Sequence, residues 1–167
     1  MYLATLFGTD VLHLASEKLI GTILLIQLVA AVGAWLFARI SKARGNKQAL
    51  LLLIAIWVGI CLGAYFTTNE FQFYALAVVV GMVMGGIQSL SRATYSKLIP
   101  ENSIEHASYF SFYDVTYNLS IVMGTFSFGL IHQITQDMRN SALVLASYFV
   151  IGFALLLTVK AKVLVKG

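Results

Sequence analysis

Asp114 is the residue of this sequence whose chemistry most needs an explanation. It lies in a largely apolar stretch, with Ser111, Asn118 and Thr125 at spacings of three, four and seven residues along it. Those spacings place the four side chains on one face of a helix. A carboxylate in apolar surroundings must be paired with a cation, carry a proton or contact water. The pattern therefore predicts an ion or proton site on this face.

A cation for that carboxylate is available earlier in the chain. Gly81, Gly85, Gln88 and Arg92 are spaced by four, three and four residues, so they share a helical face. Arg92 precedes Pro100 by eight residues and Asp114 follows that proline by fourteen, which places both at the same end of adjacent antiparallel helices. We predict that they pair. The pair either locks two helices together or belongs to a pathway or gate, and the spacing alone leaves both open.

Further polar and small residues complete the candidate site. Gln27 is the only amide of its apolar stretch, where it serves either ligand contact or a hydrogen bond between helices. The predicted solute or ion pathway is Gln27, Gln88, Ser91, Arg92, Asp114 and Asn118. Glycine and serine at four-residue spacing favour close helix packing, and the residues predicted to serve it are Gly59, Gly63, Gly81, Gly85, Ser120 and Gly124.

Other kinds of chemistry find no support in the sequence. His13, His106 and His132 each lack a second ligand at a useful spacing, so no metal site is predicted. No nucleophile elbow, phosphate-binding loop or metal-binding helix motif is present. The sequence therefore predicts neither an enzyme nor a bound cofactor.

The elements that position these residues follow from composition. Hydrophobic residues make up 59% of the chain and charged residues 11%, against roughly a quarter charged in soluble domains. Uncharged stretches long enough to cross a bilayer, which takes about 20 residues, recur along the chain. We predict an all-α, polytopic membrane helix bundle in contact with the lipid bilayer. Its five full spans are 19–38, 49–68, 71–95, 106–133 and 141–159, and residues 1–8 form the remnant of a further helix.

The five spans differ in polarity. The second and fifth are almost wholly apolar, aromatic or small, which predicts that they face lipid. The first, third and fourth carry the polar residues described above. We therefore expect these three to line a shared cavity.

Lysine and arginine are distributed unequally between the two predicted sides of the membrane. Nine lie at alternate span ends that would share the cytoplasm, whereas only Lys18 and Arg139 lie on the other side. This asymmetry predicts an outside N-terminus and a cytoplasmic C-terminus, in a cell membrane. The net charge of +4 is explained by topology, and no nucleic-acid binding is predicted.

Several segments resemble the major facilitator superfamily of transporters. The basic turn with Arg39, Lys42, Gly45 and Lys47 resembles its signature cytoplasmic turn, although the family's leading glycine is Ala38 here and its acid is Lys42. More specifically, the segments 85–92, 98–100 and 109–113 are similar to the C-terminal half of the vacuole-effluxer-like branch. The resemblance implies that the five spans correspond to helices eight to twelve of twelve, and residues 1–8 to the end of helix seven.

The same resemblance implies a function. It suggests a secondary transporter, or the C-terminal part of one, that moves a small solute by alternating access, with amino acids as one candidate class. Asp114 would couple transport to protons, and the partner would be a missing N-terminal half or a second copy. Two alternatives stay open, namely a non-transporting assembly or anchor subunit, and a half-transporter that works as a homo-oligomer.

Overall fold

The computed structural model describes residues 9, 15–100, 105–136 and 138–159, and its long elements are all helices. Each predicted span overlaps one helix, with ends that differ by up to six residues, and the all-α prediction is confirmed. The predicted helix remnant at residues 1–8 lies outside the described residues. The helices are α1 (Ser16–Arg44), α2 (Asn46–Phe66), α3 (Glu70–Ser96), α4 (His106–Thr135) and α5 (Met138–Thr158).

Four of these helices have the length and composition needed to cross a bilayer, namely α1, α2, α3 and α5. The chain is accordingly an integral membrane protein. Helix α4 is long enough, with 30 residues, but it is less apolar because Asp114, Asn118 and several hydroxyl side chains interrupt it. The predicted count of five full spans therefore stays a prediction.

Helices α1 and α3 form the most extensive contact of the bundle. Glycines make this possible, because their bare backbones let the two helices approach closely. A Cβ on Gly33 would overlap the backbone of Met82, and one on Gly85 would overlap the carbonyl of Ala30. The α1–α3 pair is consequently intolerant of larger side chains along this line.

The hydrophobic core lies where α2 packs against α3, with Phe37 of α1 also buried in it and Leu156 of α5 packed against it. Ala49 and Leu53 of α2 are fully buried in it, and the rings of Trp57 and Phe149 stack with centroids 5.2 Å apart. One side of the second span is thus packed into the bundle, and lipid contact of its other side stays a prediction. The buried core residues are Phe37, Ala49, Leu50, Leu53, Ile60, Val83 and Leu90.

Helix α4 packs mainly on α5 and is the most open helix of the bundle. Of its described residues only Phe128 is buried. The hydroxyl of Tyr148 on α5 donates a hydrogen bond to Ser127 Oγ at 2.9 Å, which fixes the two helices near their middle. The polar face of α4 is thus left uncovered, apart from where side chains of α3 reach it.

Candidate functional site

An ion pair joins α3 to α4 at their facing ends. Nη2 of Arg92 lies 3.3 Å from Oδ1 and 3.4 Å from Oδ2 of Asp114, so the predicted pairing is confirmed. The two helices are antiparallel, and the connection through Pro100 brings the residues together across 22 positions of sequence. Both side chains remain more than half exposed, at 59% and 51%. The pair is therefore open on one side.

Tyrosines and an amide surround this pair. The hydroxyl of Tyr113 donates a hydrogen bond to Ser91 Oγ at 2.9 Å, and Nε2 of Gln88 donates to the Tyr117 hydroxyl at 3.4 Å. The rings of Tyr113 and Tyr117 stack with centroids 6.3 Å apart. Together they form a cleft of about 140 Å³, which is lined by Gln88, Arg92, Tyr113, Asp114 and Tyr117.

Further aromatic contacts lie beside this cleft, near the end of α3. The Tyr95 ring lies 5.0 Å from that of Tyr113, and its hydroxyl donates to the Tyr109 carbonyl at 2.9 Å. The Arg92 guanidinium carbon lies 5.8 Å from the centre of the Phe110 ring, within cation–π range. Phe110 precedes Asp114 by one turn of α4, so both side chains contact the guanidinium from the same helix.

Two predicted pathway residues are not brought into the cleft. Asn118 turns back on its own helix, where Nδ2 donates to the Asp114 carbonyl at 2.7 Å. Gln27 is exposed on α1 and follows the buried Ile26, which places it about 100° around the helix from the face that contacts α3. Their pathway roles remain predictions.

Tyr109 and Tyr113 are site residues that the sequence analysis missed, whereas Tyr117 lies on the polar face predicted around Asp114. Tyr109, Tyr113 and Tyr117 recur every four residues, and that spacing alone places them on one face of α4. Aromatic residues are common in membrane helices, so the signal was weak beside a carboxylate. Tyr113 matters because it touches both Ser91 and Tyr95.

The basic turn between α1 and α2 ties several helix ends together. Gly45 adopts a φ of +87°, a conformation that other residues rarely adopt. Lys47 donates to the Leu157 carbonyl at 2.9 Å and also to the Val159 carbonyl, at the end of α5. A cation at a helix C-terminus is stabilising because the last carbonyls carry partial negative charge.

Two further basic residues of the turn, Arg39 and Lys42, differ in their surroundings. The Arg39 guanidinium lies over the Trp35 ring, 4.0 Å from its centre. Lys42 is exposed. The turn therefore contains one residue that caps a helix, one that stacks on an aromatic ring and one that points to solvent or headgroups.

A buried polar network lies directly beneath the turn. The Ser41 hydroxyl donates to Asn46 Oδ1 at 2.6 Å, and Asn46 Nδ2 donates to Thr94 Oγ1 at 3.0 Å. All three residues are buried. Thr94 is two residues from Arg92, so the network anchors the same end of α3 that carries the ion pair.

The predicted packing glycines fall into two groups. Gly81 lies against Ile26 of α1, where an added Cβ would come within 2.8 Å of the carbonyl oxygen, and Gly85 is still tighter. Gly63 would bring a Cβ 3.3 Å from Leu76. In contrast, a Cβ on Gly59 or Gly124 would meet nothing within 4 Å, and Ser120 is exposed. The packing predicted for these last three is not seen among the described residues.

The carboxylate and the guanidinium in this cleft can each exchange the other for a different partner. A half-exposed carboxylate can trade its guanidinium for a proton, and the guanidinium can bind an anionic group instead. Within the described part of the chain, no group of three or more His, Cys, Asp or Glu side chains is placed to hold a metal ion. The open side of the pair leaves room for an anionic group beside Gln88 and Tyr117.

Comparison with known proteins gives one matching family and several relatives. A family model described as "Vacuole effluxer Atg22 like" matches residues 1–163. The chain is 30% identical over 155 residues, 92% of its length, to the Bacillus subtilis protein named uncharacterized MFS-type transporter YxiO, of which it covers 35%. It is 31% identical to autophagy-related protein 22 of Eremothecium gossypii over 150 residues, which are 83% of this chain and 29% of that protein.

The same protein in Saccharomyces cerevisiae is 28% identical over 149 residues, 83% of this chain and 28% of the yeast protein. The chain therefore spans about a third of the length of the curated relatives it matches. No solved structure matches it.

Proposed function

This chain belongs to the vacuole effluxer Atg22-like family, and from that premise we propose that it forms part of a secondary transporter. It would move a small solute across a membrane by alternating access, in which two helix bundles rock around a binding site near the bilayer midplane. Because it spans about a third of its relatives, the remaining helices would come from an N-terminal half or from a second copy. The observation that carries the proposal is the open Arg92–Asp114 pair.

If the ion pair only joined two helices, we would expect its side chains to be shielded from water and solutes. Here more than half of each side chain is exposed, and the contact distances of 3.3 and 3.4 Å are long for a charged hydrogen bond. Inside a membrane such exposure requires water, solute or another protein segment beside the pair. We assign the cleft to the solute pathway and Asp114 to proton coupling, with Gln27 and Asn118 as candidates whose neighbours come from the partner bundle.

The proposal makes α4 the fifth span. A helix of 30 residues is about 45 Å long, which exceeds the hydrocarbon thickness of a bilayer. Its moderate polarity fits a helix that lines an aqueous cavity rather than one that faces lipid. The proposed topology has an outside N-terminus and a cytoplasmic C-terminus.

The decisive experiment compares two carboxylates. The chain is produced together with the N-terminal part of its transporter and reconstituted in liposomes, and uptake and counterflow of labelled amino acids are followed with and without a pH gradient. Asp114→Asn should abolish the stimulation by the gradient. Glu70→Gln is the matched control, because Glu70 also forms an ion pair, with Lys18 at 2.8 Å, but lies outside the cleft. If gradient-driven flux survives Asp114→Asn, the coupling role fails.

Two structural observations favour an interaction role as a second candidate function. Gly59 and Gly124 lie open at the surface of the bundle, where another membrane helix could approach closely. A non-transporting anchor subunit or a homo-oligomeric half-transporter would use such faces. Counterflow by the chain alone, with a dimeric mass in detergent, would favour the homo-oligomer, whereas a stable complex without flux would favour the anchor.

The membrane and the orientation are open to a direct test. We propose a cell membrane with the basic turn in the cytoplasm. In a Cys61→Ala background, Lys42→Cys should be labelled by a membrane-impermeant maleimide only after permeabilisation, and Asn69→Cys should be labelled in intact cells. The reverse pattern would contradict the orientation.

A further inference from the structure

A second cavity lies inside the bundle, away from the Arg92–Asp114 cleft. It measures about 220 Å³, and residues of all five helices line it, including Ile26 of α1, Trp57 of α2, Ala77 of α3, Phe128 of α4 and Ala142 of α5. An apolar protein cavity of about 150 Å³ is already large enough to bind benzene. The space is therefore large enough for a molecule and is not a packing defect of a single methyl group.

The walls of this cavity are unsuited to water. Every side chain in them is hydrocarbon or aromatic apart from the Cys61 thiol, the Met84 thioether and the indole of Trp57. The Trp57 Nε1 is itself buried, with no hydrogen-bond partner among the described residues. A buried water needs two to four polar partners, which these walls do not provide. The cavity thus suits an uncharged, apolar occupant.

The cavity adjoins the lipid-facing surface between α2 and α3. A groove of about 380 Å³ runs along this seam, and Leu76 belongs to the walls of both the groove and the cavity. The groove also includes Phe66, which is 72% exposed, and Val79. Both helices have the length and composition of membrane spans, so lipid tails would lie against this seam at high concentration.

We propose that the cavity is a binding site for the hydrocarbon tail of a bilayer lipid, which enters between α2 and α3 past Leu76. Three observations support it together: the volume, the apolar walls and the shared residue that connects the cavity to a lipid-facing groove. The site is independent of the proposed solute pathway, because it shares no residue with the Arg92–Asp114 cleft.

The chain carries its own reporter for this site. It has two tryptophans, of which Trp57 lines the cavity while Trp35 is 55% exposed on α1. A Trp35→Phe variant therefore leaves Trp57 as the only indole. Bromine atoms quench indole fluorescence on contact, so vesicles of phosphatidylcholine with tails brominated near their middle report whether a tail reaches Trp57.

We expect quenching in brominated vesicles relative to unbrominated ones. In the same background, Ala77→Leu fills the cavity and should remove most of that quenching, whereas Ala154→Leu, at an exposed position of α5 outside the walls, should leave it unchanged. If Ala77→Leu does not insert into the membrane, Ala142→Val is used in its place, because it fills the same cavity from α5. Leu76→Ala widens the passage and should increase the quenching.

Equal quenching in the filled and unfilled variants would overturn the proposal, because it would mean contact only with lipids around the bundle. Quenching by added free bromobenzene, but not by brominated tails, would also overturn it, since the occupant would then be a small free molecule. Failure of Leu76→Ala to change the signal would exclude entry along the α2–α3 seam.

Discussion

The side-chain nitrogen of Asn46 donates a hydrogen bond to Thr94 Oγ1 at 3.0 Å, joining residues 48 positions apart. It binds the start of α2 to the end of α3, and Ser41 extends the connection to α1. Each of these groups is buried, so none can replace its partner with water. Hydrogen bonds between neutral side chains therefore help to hold the turn between α1 and α2, beside the contacts of its charged residues.

Replacing one hydroxyl tests this network. We expect Thr94→Val, which keeps the shape of the side chain, to lower the free energy of unfolding by about 1 to 3 kcal/mol, the cost of an unsatisfied buried polar group. Thr116→Val is the control, since Thr116 is exposed and bonds only its own helix, at the Phe112 carbonyl. Denaturant titration in detergent measures both, and equal effects would show that the network contributes nothing specific.

The ion pair can be tested by exchanging its charges. Arg92→Asp and Asp114→Arg should each reduce insertion and stability, because each leaves two like charges facing one another. The double exchange should recover part of the loss, with a coupling of about 1 kcal/mol, the upper range for a half-exposed pair. The coupling is obtained from the yield and melting temperature of the wild type, the two single variants and the double variant. If the losses of the two single variants simply add in the double variant, the pairing is contradicted.

Glycine substitutions should distinguish the helix faces that are tightly packed from those that are open. Gly85→Ala places a methyl group into the Ala30 carbonyl, so the α1–α3 pair must move apart, at a cost of about 1 to 3 kcal/mol. Gly59→Ala meets nothing within 4 Å and should be neutral or stabilising by up to about 1 kcal/mol through helix propensity. The melting temperature of each variant in detergent is the measurement. A destabilised Gly59→Ala chain would instead indicate a neighbour at that face.

Lys47 and Lys42 differ in what they contact. Lys47→Met removes the cation from the last carbonyls of α5 and should destabilise the chain by about 0.3 to 1 kcal/mol. Lys42→Met removes the same charge from an exposed position and should have a smaller effect. Proteolysis rates at the end of α5 provide the readout, and equal protection in the two variants would contradict the capping role.

The spacing of residues along the sequence was enough to predict the central ion pair of the site. Arg92 and Asp114 could be paired from their distances to Pro100, because one break between two helices folds them back against each other. Helix periodicity then placed Gln88 on the same side as the arginine. Local patterns suffice when both partners lie close to a single turn.

Contacts between distant elements could not be predicted in this way. Asn46 reads as one polar residue of a turn, and nothing local shows that it meets Thr94. Likewise, the apolar sequence of α2 suits lipid and protein equally, and only its neighbours bury Ala49 and Leu53. Gln27 and Asn118 share the polarity of the site residues, yet helix rotation and a bond to its own backbone keep them out of the cleft.

The sequence by itself determined that this chain is a set of long apolar helices, and it determined which helix ends carry the opposing charges of the site. Composition and helix period decide these features, since each depends on residues within a few turns of one another. Only the tertiary structure decided which faces of those helices meet, that tyrosines enclose the ion pair, and that an apolar cavity remains among the five helices. In an apolar environment nearly any face can pack, so side-chain fit and glycine contacts make that choice.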